Sequence, residues 1–452
     1  MSLTNYLEVR KELDDLLEQQ NFRALKEKLQ DLNEVDIAEF INECSSKEAS
    51  IIFRMLPKTE GADVFSYLDQ DNQINLINSY TDKEIEDIVS GLYNDDYADL
   101  LDEIPASVAK RLLKNTKPER RKLINQLLQY PDESAGSIMT TEYMRLTSSM
   151  TIKEAIFKLR HSDPRMESIY TCYVTSSDLI LEGVLTIQEI LTAKDEQLIA
   201  DIMTENVICA HTVDDQEYAT RMLDRYDFLA LPVVDSENRL VGIITVDDAM
   251  TTLNQETSED MAIMAAVQPT EKSYFEVGVW ENARHRVLWL LVLMISGMVN
   301  GEILSTYEHA FVAIPALVSF IPMLTDTGGN AGSQTSSLLI RAIALGEAKL
   351  SDIIRIIWRE FSIGVIVGSI LSLVNFLRIY FLNGQSMVLA LTVSLALFAV
   401  VILAKFIAGT LPLIAKALGF DPAMMAAPLI TTIVDAMGLI LYFNIAHFLL
   451  RI

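Results

Sequence analysis

Cysteine is scarce in this chain of 452 residues. Cys44, Cys172 and Cys209 are its only cysteines, and their spacing is unlike that of zinc ligands. We therefore exclude a disulfide framework and a zinc site, and we expect free, reduced thiols. The opening residues also lack the basic start and apolar core of a secretory signal, so we expect the N-terminal part to stay in the cytosol.

Positive charge is sparse in the first part of the chain. From Met1 to Thr270 there are 25 Lys and Arg against 51 Asp and Glu, a net charge of -26, whereas Glu271 to Ile452 holds 11 of each sign. Phosphate groups repel such an acidic surface, which argues against nucleic acid as a partner and favours solvent or cations instead.

Beyond residue 286 the sequence turns apolar, in segments long enough to cross a lipid bilayer as helices. These predicted spans lie near 287–306, 310–340, 360–382, 387–415 and 423–450. The second contains two prolines and a Gly-Gly pair, which predict a kinked or interrupted helix. Irregular backbone at membrane depth needs protein or a water-filled cavity around it, so this segment is a candidate pore lining.

Lys and Arg predict the orientation of the spans. With the acidic part inside, the inner segments hold Arg284, Arg286, Arg341, Lys349, Arg355, Arg359 and Lys416, and the outer ones hold Arg378 and Arg451. Five spans then place the N-terminus in the cytoplasm and the C-terminus outside.

Polar residues interrupt the predicted spans. They include Asn300, Glu302, Asp326, Asn330, Gln334, Asn375, Lys405 and Asp435. A carboxylate in lipid is costly, so it should face the interior of the helix bundle and have a partner or a function. Asp435, near the middle of the fifth span, is either a hydrogen-bonded contact between helices or a functional acid in a pore, and we favour the second.

Asp326 begins an Asp-Thr-Gly triplet, which is typical of aspartic proteases. Those enzymes need two carboxylates beside an activated water, and Asp326 and Asp435 could supply the pair. The triplet occurs only once, however, and the preceding Thr325 and Val434 do not match intramembrane aspartyl proteases. We therefore expect no enzyme, and interpret the stretch as Gly-Gly-Asn-x-Gly-x-Gln, whose small residues let helices approach and expose backbone carbonyls to a cation.

Residues 132–252 contain two copies of one unit. Ile138-Met139-Thr140 matches Ile202-Met203-Thr204, and GVLTIQE matches GIITVDD. Each copy predicts a short strand, a helix, two strands and a second helix, with a hairpin at DSENR. The pattern resembles a tandem of cystathionine-β-synthase (CBS) domains, which pair into a flat α/β module and often bind adenine nucleotides or ions. ATP is therefore a candidate ligand.

Residues 1–131 show the helical spacing of Leu, Ile and Val, with a capping box at Thr81 to Glu84. They predict an all-α superhelical domain of short helices. Asp95 and Asp99 stand four apart on one helical face, where they either face solvent or share a divalent cation.

A connecting segment, residues 253–283, follows the repeats and is predicted to form one amphipathic helix. Glu256, Glu259 and Asp260 fall on one side of it, at spacings of three and four. Such acids either keep a linker helix solvated or couple the repeats to the membrane.

The order of these parts resembles the MgtE family of magnesium channels over essentially the whole chain. The most specific part of the resemblance is a five-helix transmembrane domain, residues 284–452, with PMLTDTGGNAGSQTSSLLIRAIALGE and DPAMMAAPLITTIVDAMGLILYF. It implies a homodimer in the bacterial inner membrane, with one pore between the two sets of spans. Mg²⁺ would pass down its electrochemical gradient without ATP hydrolysis.

The resemblance also implies site residues. The family's pore acid falls on Asp435, and its glycine-rich stretch on Gly328, Gly329, Asn330, Gly332 and Gln334, with Asp326 as a secondary candidate. Positions matching the regulatory cation sites are Asp95, Asp99, Asp214, Glu217, Asp227, Asp247, Glu256, Glu259 and Asp260. Bound there, cytosolic Mg²⁺ would hold the soluble parts compact, so that the connecting helix blocks the pore.

An alternative of another class is a membrane-tethered nucleotide sensor, in which the spans only anchor and the CBS repeats signal to a partner. It predicts no ion flux and tolerance of Asp435→Ala.

Overall fold

The computed structural model describes residues 3–57, 60–163, 166–270, 274, 277–425 and 427–451. The chain divides into two compact units, residues 1–253 and 254–452.

Short helices make up the N-terminal part of the first unit. They are α1 (Leu3–Glu18), α2 (Phe22–Leu29), α3 (Glu34–Asn42), α4 (Ser46–Phe53), α5 (Gly61–Ser66), α6 (Gln70–Ser79), α7 (Asp82–Val89), α8 (Asn94–Glu103), α9 (Ala106–Asn115) and α10 (Pro118–Leu127). Most of these helices pack against the helix two places further along the chain, as α4 does on α6, α5 on α7 and α8 on α10. This is the packing of a superhelix, so the all-α prediction is confirmed. The capping box is also confirmed, because the backbone N–H of Thr81 donates to Glu84 Oε2 at 2.9 Å.

The rest of the first unit contains two α/β repeats. The first consists of β1 (Tyr143–Leu146), α11 (Ile152–Arg160), β2 (Ser168–Thr175), β3 (Leu181–Thr186) and α12 (Ile187–Thr192). The second consists of β4 (Ala210–His211), α13 (Gln216–Arg225), β5 (Ala230–Val234), β6 (Leu240–Thr245) and α14 (Val246–Met264). In each sheet a parallel pair is followed by an antiparallel hairpin. The predicted element order and the hairpin at DSENR are confirmed.

The repeated Ile-Met-Thr segments tie the two repeats together. Thr140, which precedes the first repeat, pairs with Ile243 of β6, and Thr204 pairs with Val184 of β3. Met139 packs on Gly242, where a Cβ atom would lie 2.6 Å from its sulfur. Each segment therefore closes the sheet of the other repeat, and the two repeats fold as a pair.

The connecting helix is shorter than predicted. Helix α14 begins inside the second repeat and ends at Met264, whereas one helix was expected over residues 253–283. Ala266 has a positive φ of 56°, and the backbone N–H of Val267 donates to the carbonyl of Ala262. A left-handed residue just past the last turn ends a helix in this way, and Pro269 follows.

Long helices dominate the second unit. They are α15 (Val279–Thr306), α16 (Glu308–Ala313), α17 (Ile321–Ala344), α18 (Ile353–Leu377), α19 (Met387–Ala417) and α20 (Ala427–Leu450). A 3₁₀ segment, Pro315–Phe320, separates α16 from α17, so the predicted second span is interrupted. Within this segment, the buried carbonyl of Leu317 accepts a hydrogen bond from the Tyr442 hydroxyl of α20 at 3.0 Å.

Among the described residues, four helices are long and apolar enough to cross a membrane: those containing α15, α18, α19 and α20. Helix α17 is the exception. Its 24 residues extend about 36 Å, which is long enough, but polar side chains lower its hydropathy. The count of five spans therefore stays a prediction.

Candidate functional site

A polar stripe follows one face of α17. Asp326, Asn330 and Gln334 stand four residues apart, and all three side chains are exposed in the single chain. At 3.6 residues per turn this spacing places them above one another on one side of the helix. We call this set the α17 stripe. It contains three of the residues predicted for the pore.

The glycines of the same helix lie on its buried side. A Cβ on Gly329 would lie 2.8 Å from Thr431 Cγ2, and one on Gly332 would lie 2.9 Å from Ile430 Cγ2. Glycine is therefore required for α17 and α20 to approach this closely. Gly328 makes similar contacts with Val400 and Val434.

The glycines do not offer free carbonyls. The stretch lies within a continuous α-helix, whose carbonyl oxygens accept backbone hydrogen bonds, and Gly329 O also accepts from the Ser333 hydroxyl at 2.9 Å. The expectation that this stretch exposes backbone carbonyls to a cation is wrong for α17. The break in the backbone lies earlier, at Pro315–Phe320.

Asp435 lies on α20, next to Val434 in the contact with α17. Its Oδ1 atom is buried and has no hydrogen-bond partner within the part of the chain that the structure describes. Asp326 is close enough to act on it electrostatically. Two carboxylates on neighbouring helices, one with an unsatisfied oxygen, form an arrangement that a divalent cation can neutralise.

A second group of acids collects in the first unit, where helix α8 meets the CBS pair. Asp95 and Asp96 lie in the first turn of α8, and Asp248 in the first turn of α14. Glu142 directly precedes β1, and Glu167 directly precedes β2. We call these five residues the acidic cluster.

Hydrogen bonds connect the acidic cluster across the two domains. The Thr140 hydroxyl lies 3.2 Å from both Asp95 Oδ1 and Glu142 Oε2. Asn94 Nδ2 donates to Thr141 Oγ1 at 2.9 Å, and Thr141 Oγ1 donates to Glu142 Oε2 at 2.9 Å. The helical domain and the CBS pair therefore meet through polar groups at this point.

The cluster is electrostatically strained. Burial, reinforced by the neighbouring acids, raises the pKa of Asp96 to about 6 and that of Glu167 to about 7. The pKa of Asp95 is raised well above its usual range, first by burial and then by Asp96, Asp248 and Glu142. Burial likewise raises the pKa of Asp248. Like charges in a partly dry site disfavour ionisation, and a cation or a proton relieves them.

The acidic cluster overlaps only partly with the predicted regulatory residues. Asp95 was predicted, and Asp247 acts electrostatically on Asp248 and Glu167. Asp96, Glu142, Glu167 and Asp248 were missed. A sequence signal existed for two of them, since Asp96 adjoins Asp95 and Asp248 adjoins Asp247.

Other predicted ligands have protein partners. Asp214 accepts from the backbone N–H of His211 at 2.8 Å, and Glu217 forms an ion pair with Arg221. Asp99 lies on α8. Glu256, Glu259 and Asp260 lie on α14, partly buried. Within the described residues, no group of three or more His, Cys, Asp or Glu side chains has the geometry of a metal-ligand set.

Asp227 lines a cleft of about 570 Å³ in the CBS pair. Tyr170, Thr171, Phe228 and Pro232 also contribute to its walls. Aromatic and apolar walls with a few hydroxyl and carboxylate groups suit a ring with a sugar attached. The structure therefore places Asp227 in a candidate ligand cleft of the CBS pair.

Comparison with known proteins gives matches in each part of the chain. The MgtE profile, described as a divalent cation transporter, matches residues 321–445, and the MgtE intracellular N domain profile matches residues 32–133. The CBS domain profile matches residues 135–196 and 199–254.

Two relatives resemble the chain over nearly its whole length. The magnesium transporter MgtE of Thermus thermophilus is 33% identical over 97% of this chain and 98% of its own. The magnesium transporter MgtE of Bacillus subtilis is 31% identical over 95% of each. A crystal structure of the cytosolic domain of the Mg²⁺ channel MgtE with ATP is 32% identical, with a TM-score of 0.52, and covers 54% of this chain and 99% of that domain.

Proposed function

Because this chain belongs to the MgtE family of magnesium transporters, we propose that it conducts Mg²⁺ through a pore lined by the α17 stripe and Asp435. The observation that carries the proposal is the buried Asp435 Oδ1, which has no hydrogen-bond partner among the described residues, on a helix that packs against the glycines of α17. Mg²⁺ sheds its water reluctantly and is usually held through water by one or two carboxylates. Two such carboxylates suit a hydrated ion.

The pore needs a second copy of the chain. A polar stripe on a membrane helix would face lipid in a monomer, and such exposure is costly. A twofold axis beside α17 and α20 would instead bring two stripes and two Asp435 carboxylates around one path. We therefore propose a homodimer in the bacterial inner membrane, with five spans per chain and the C-terminus outside.

The proposed domains are the helical domain (1–131), the CBS pair (132–252), the connecting segment (253–283) and the pore domain (284–452). The last turns of α14 lie in the connecting segment, and Asp248 of the acidic cluster lies in its first turn. Asp248 and Asp260 lie on the same helix, about 18 Å apart along its axis. A change at the cluster can therefore be carried along a single element.

We propose that cytosolic Mg²⁺ closes the pore by neutralising these acids. The ion would bind the acidic cluster largely through water, which explains why a preformed set of direct ligands is not required. Glu256, Glu259 and Asp260, further along α14, add negative charge to the same helix. When Mg²⁺ falls, repulsion among the carboxylates favours separation of the helical domain from the CBS pair.

The cleft that contains Asp227 is the proposed site for ATP. Tyr170 and Phe228 offer rings for stacking against adenine, and the Asp227 carboxylate can accept hydrogen bonds from ribose hydroxyls. The solved relative that holds ATP is a cytosolic MgtE domain. This ligand would act on the regulatory part, with no hydrolysis required.

The test is Mg²⁺ flux into liposomes with internal and external Mg²⁺ varied independently. We expect inward flux down the gradient that stops when Mg²⁺ bathing the cytosolic side is high. Glu256→Gln/Glu259→Gln/Asp260→Asn should conduct at Mg²⁺ concentrations that close the wild type, while Glu27→Gln, a change of an exposed acid, should not. A sensor that is only tethered to the membrane would give no flux. If Mg²⁺ on the cytosolic side inhibits the triple variant as it does the wild type, the acids of α14 have no part in closing the pore.

A further inference from the structure

Three polar side chains meet inside the membrane unit and have no part in the proposed ion path. Lys405 Nζ on α19 donates to the Thr335 hydroxyl of α17 at 3.0 Å, and that hydroxyl donates to Glu360 Oε2 of α18 at 2.8 Å. Lys405 Nζ and Glu360 Oε2 are 3.8 Å apart. The side chain of Lys405 is only 6% exposed and that of Glu360 only 17%. We call these residues the buried triad.

Two glycines lie against the charged side chains of the buried triad. A Cβ on Gly364 would lie 3.6 Å from Lys405 Cδ, and one on Gly409 would lie 3.4 Å from Glu360 Cγ. Each charged side chain thus crosses the neighbouring helix at a residue without a side chain. An isolated charge in hydrocarbon is costly, but here the opposite charge and a hydroxyl satisfy it. The contact is therefore built into the packing of three helices.

Apolar contacts continue above and below the buried triad. One turn before Thr335, Ala331 belongs to one apolar cluster, and one turn after it, Leu339 belongs to another. Along α18, Ile356 belongs with Leu339, while Val367 packs against the cluster of Ala331. The triad is thus the polar layer between two apolar layers that join α17, α18 and α19.

Apolar layers alone do not fix the rotation of a helix tightly. Hydrophobic contact is non-directional, whereas a hydrogen bond restricts both distance and angle. Thr335 is buried on one side of α17, and the adjacent Gln334 is exposed on the α17 stripe. A bond that fixes the direction of Thr335 therefore also fixes the direction of the stripe.

We propose that the buried triad holds α17 at the rotation that aims the α17 stripe into the ion path, an inference that rests on the proposed function. Lys405, Glu360 and Thr335 are then positioning residues for Mg²⁺ transport. Their loss changes how well the path recognises Mg²⁺, in addition to any change in stability.

The experiment compares Thr335→Val with Thr335→Ser in reconstituted full-length protein. Valine keeps the shape and removes the hydroxyl, while serine keeps the hydroxyl. We expect Thr335→Val to raise the half-saturating Mg²⁺ concentration by about tenfold or more, the scale of one hydrogen bond to a charged group. Thr335→Ser should stay within about twofold of the wild type. Flux is expressed per folded protein, and thermal unfolding in detergent is measured in parallel.

A second comparison keeps the test decisive if Thr335→Val folds poorly. Lys405→Met alone leaves a buried carboxylate unpaired and should lower the yield of folded protein, whereas Lys405→Met/Glu360→Leu removes both charges and should restore it. If the triad positions α17, the half-saturating Mg²⁺ concentration of the double variant should remain higher than that of the wild type. If Thr335→Val or the double variant has the wild-type half-saturating Mg²⁺ concentration, the buried triad contributes only to stability and does not position α17.

Asp435→Asn is reconstituted separately, in liposomes of the same composition, as a reference. Absence of flux in the wild type would overturn the proposed function itself. Flux in the wild type, loss in Asp435→Asn and wild-type half-saturation in Thr335→Val would overturn only the positioning role.

Discussion

Gly332 on α17 lies directly against Ile430 on α20, so closely that a Cβ atom at Gly332 would lie 2.9 Å from Ile430 Cγ2. Real Cβ atoms are rarely found so near a neighbour, and Ile430 is fully buried. The close approach packs α20, which carries Asp435, against α17, which carries the stripe. The glycine is therefore as important for the proposed path as the acid.

Gly332→Val should separate α17 from α20 and reduce Mg²⁺ flux by about tenfold or more, because inserting methyl groups into a packed contact costs about 1–3 kcal/mol. The measurement is flux per folded protein in liposomes. Gly301→Ala is the control, since a Cβ at Gly301 would have none of the described residues within 4 Å, and it should transport normally. Normal flux in Gly332→Val would show that close packing here is dispensable.

Asp326→Asn should weaken Mg²⁺ recognition without abolishing transport. The change removes one of two neighbouring charges but keeps a polar side chain on the α17 stripe. We expect a higher half-saturating Mg²⁺ concentration with a maximal rate within about threefold of the wild type, since a partly solvated charge contributes about 1 kcal/mol. Asp421→Asn, an exposed carboxylate before α20, serves as the control. An unchanged half-saturation would exclude Asp326 from the path.

The contact between the helical domain and the CBS pair should loosen as pH rises in the absence of Mg²⁺. In the folded state the pKa of Asp96 is raised to about 6 from 3.8, and that of Glu167 to about 7 from 4.5, mainly by burial. Raised carboxyl pKa values contribute stability that is complete below about pH 4 and is lost as pH passes through 6 to 7. Hydrogen exchange in α8 should therefore be faster at pH 8 than at pH 5, after correction for intrinsic rates.

Saturating Mg²⁺ should restore protection of α8 at pH 8 and have little effect at pH 5, where protons already neutralise the acidic cluster. Exchange in α11, within the first repeat, should respond much less. Equal protection of α8 at both pH values without Mg²⁺ would contradict the strain assigned to the cluster.

Asp96→Asn/Glu167→Gln should stabilise the contact between the helical domain and the CBS pair as Mg²⁺ does. The rise of the Asp96 pKa from 3.8 to about 6 corresponds to about 3 kcal/mol, so removing the charge should slow exchange in α8 at pH 8 by up to about a hundredfold. Asp71→Asn, a change of an exposed acid in α6, should have no such effect. If the double variant still requires Mg²⁺ for protection, the cluster is not the regulatory site.

Local patterns were sufficient for much of the fold. The capping box of Thr81, the hairpin at Asp235 to Arg239 and the repeated Ile-Met-Thr segments each depend on residues close in sequence, and all are present. The interruption of the second span also followed from its prolines. The end of α14 was missed, because the helical spacing of charge continues past Met264 while the backbone turns at Ala266.

The sites depend on contacts between distant residues, so sequence alone gave only parts of them. Glu167 and Asp96 are separated by 71 positions and meet only when the helical domain packs on the CBS pair. Lys405 was recognised as an unusual residue in a span, but its partners Glu360 and Thr335 lie on two other helices. The exposed face shared by Asp326, Asn330 and Gln334 could have been derived from their spacing of four.

The most direct test of the account is Mg²⁺ flux through reconstituted wild-type protein and Asp435→Asn under the same gradient. The substitution preserves the size and shape of the side chain and removes one charge from the path. We predict flux in the wild type and its loss in Asp435→Asn. Thermal unfolding should show that the two proteins have the same folded fraction. Flux at the wild-type level in Asp435→Asn would contradict the assignment of this carboxylate to the ion path.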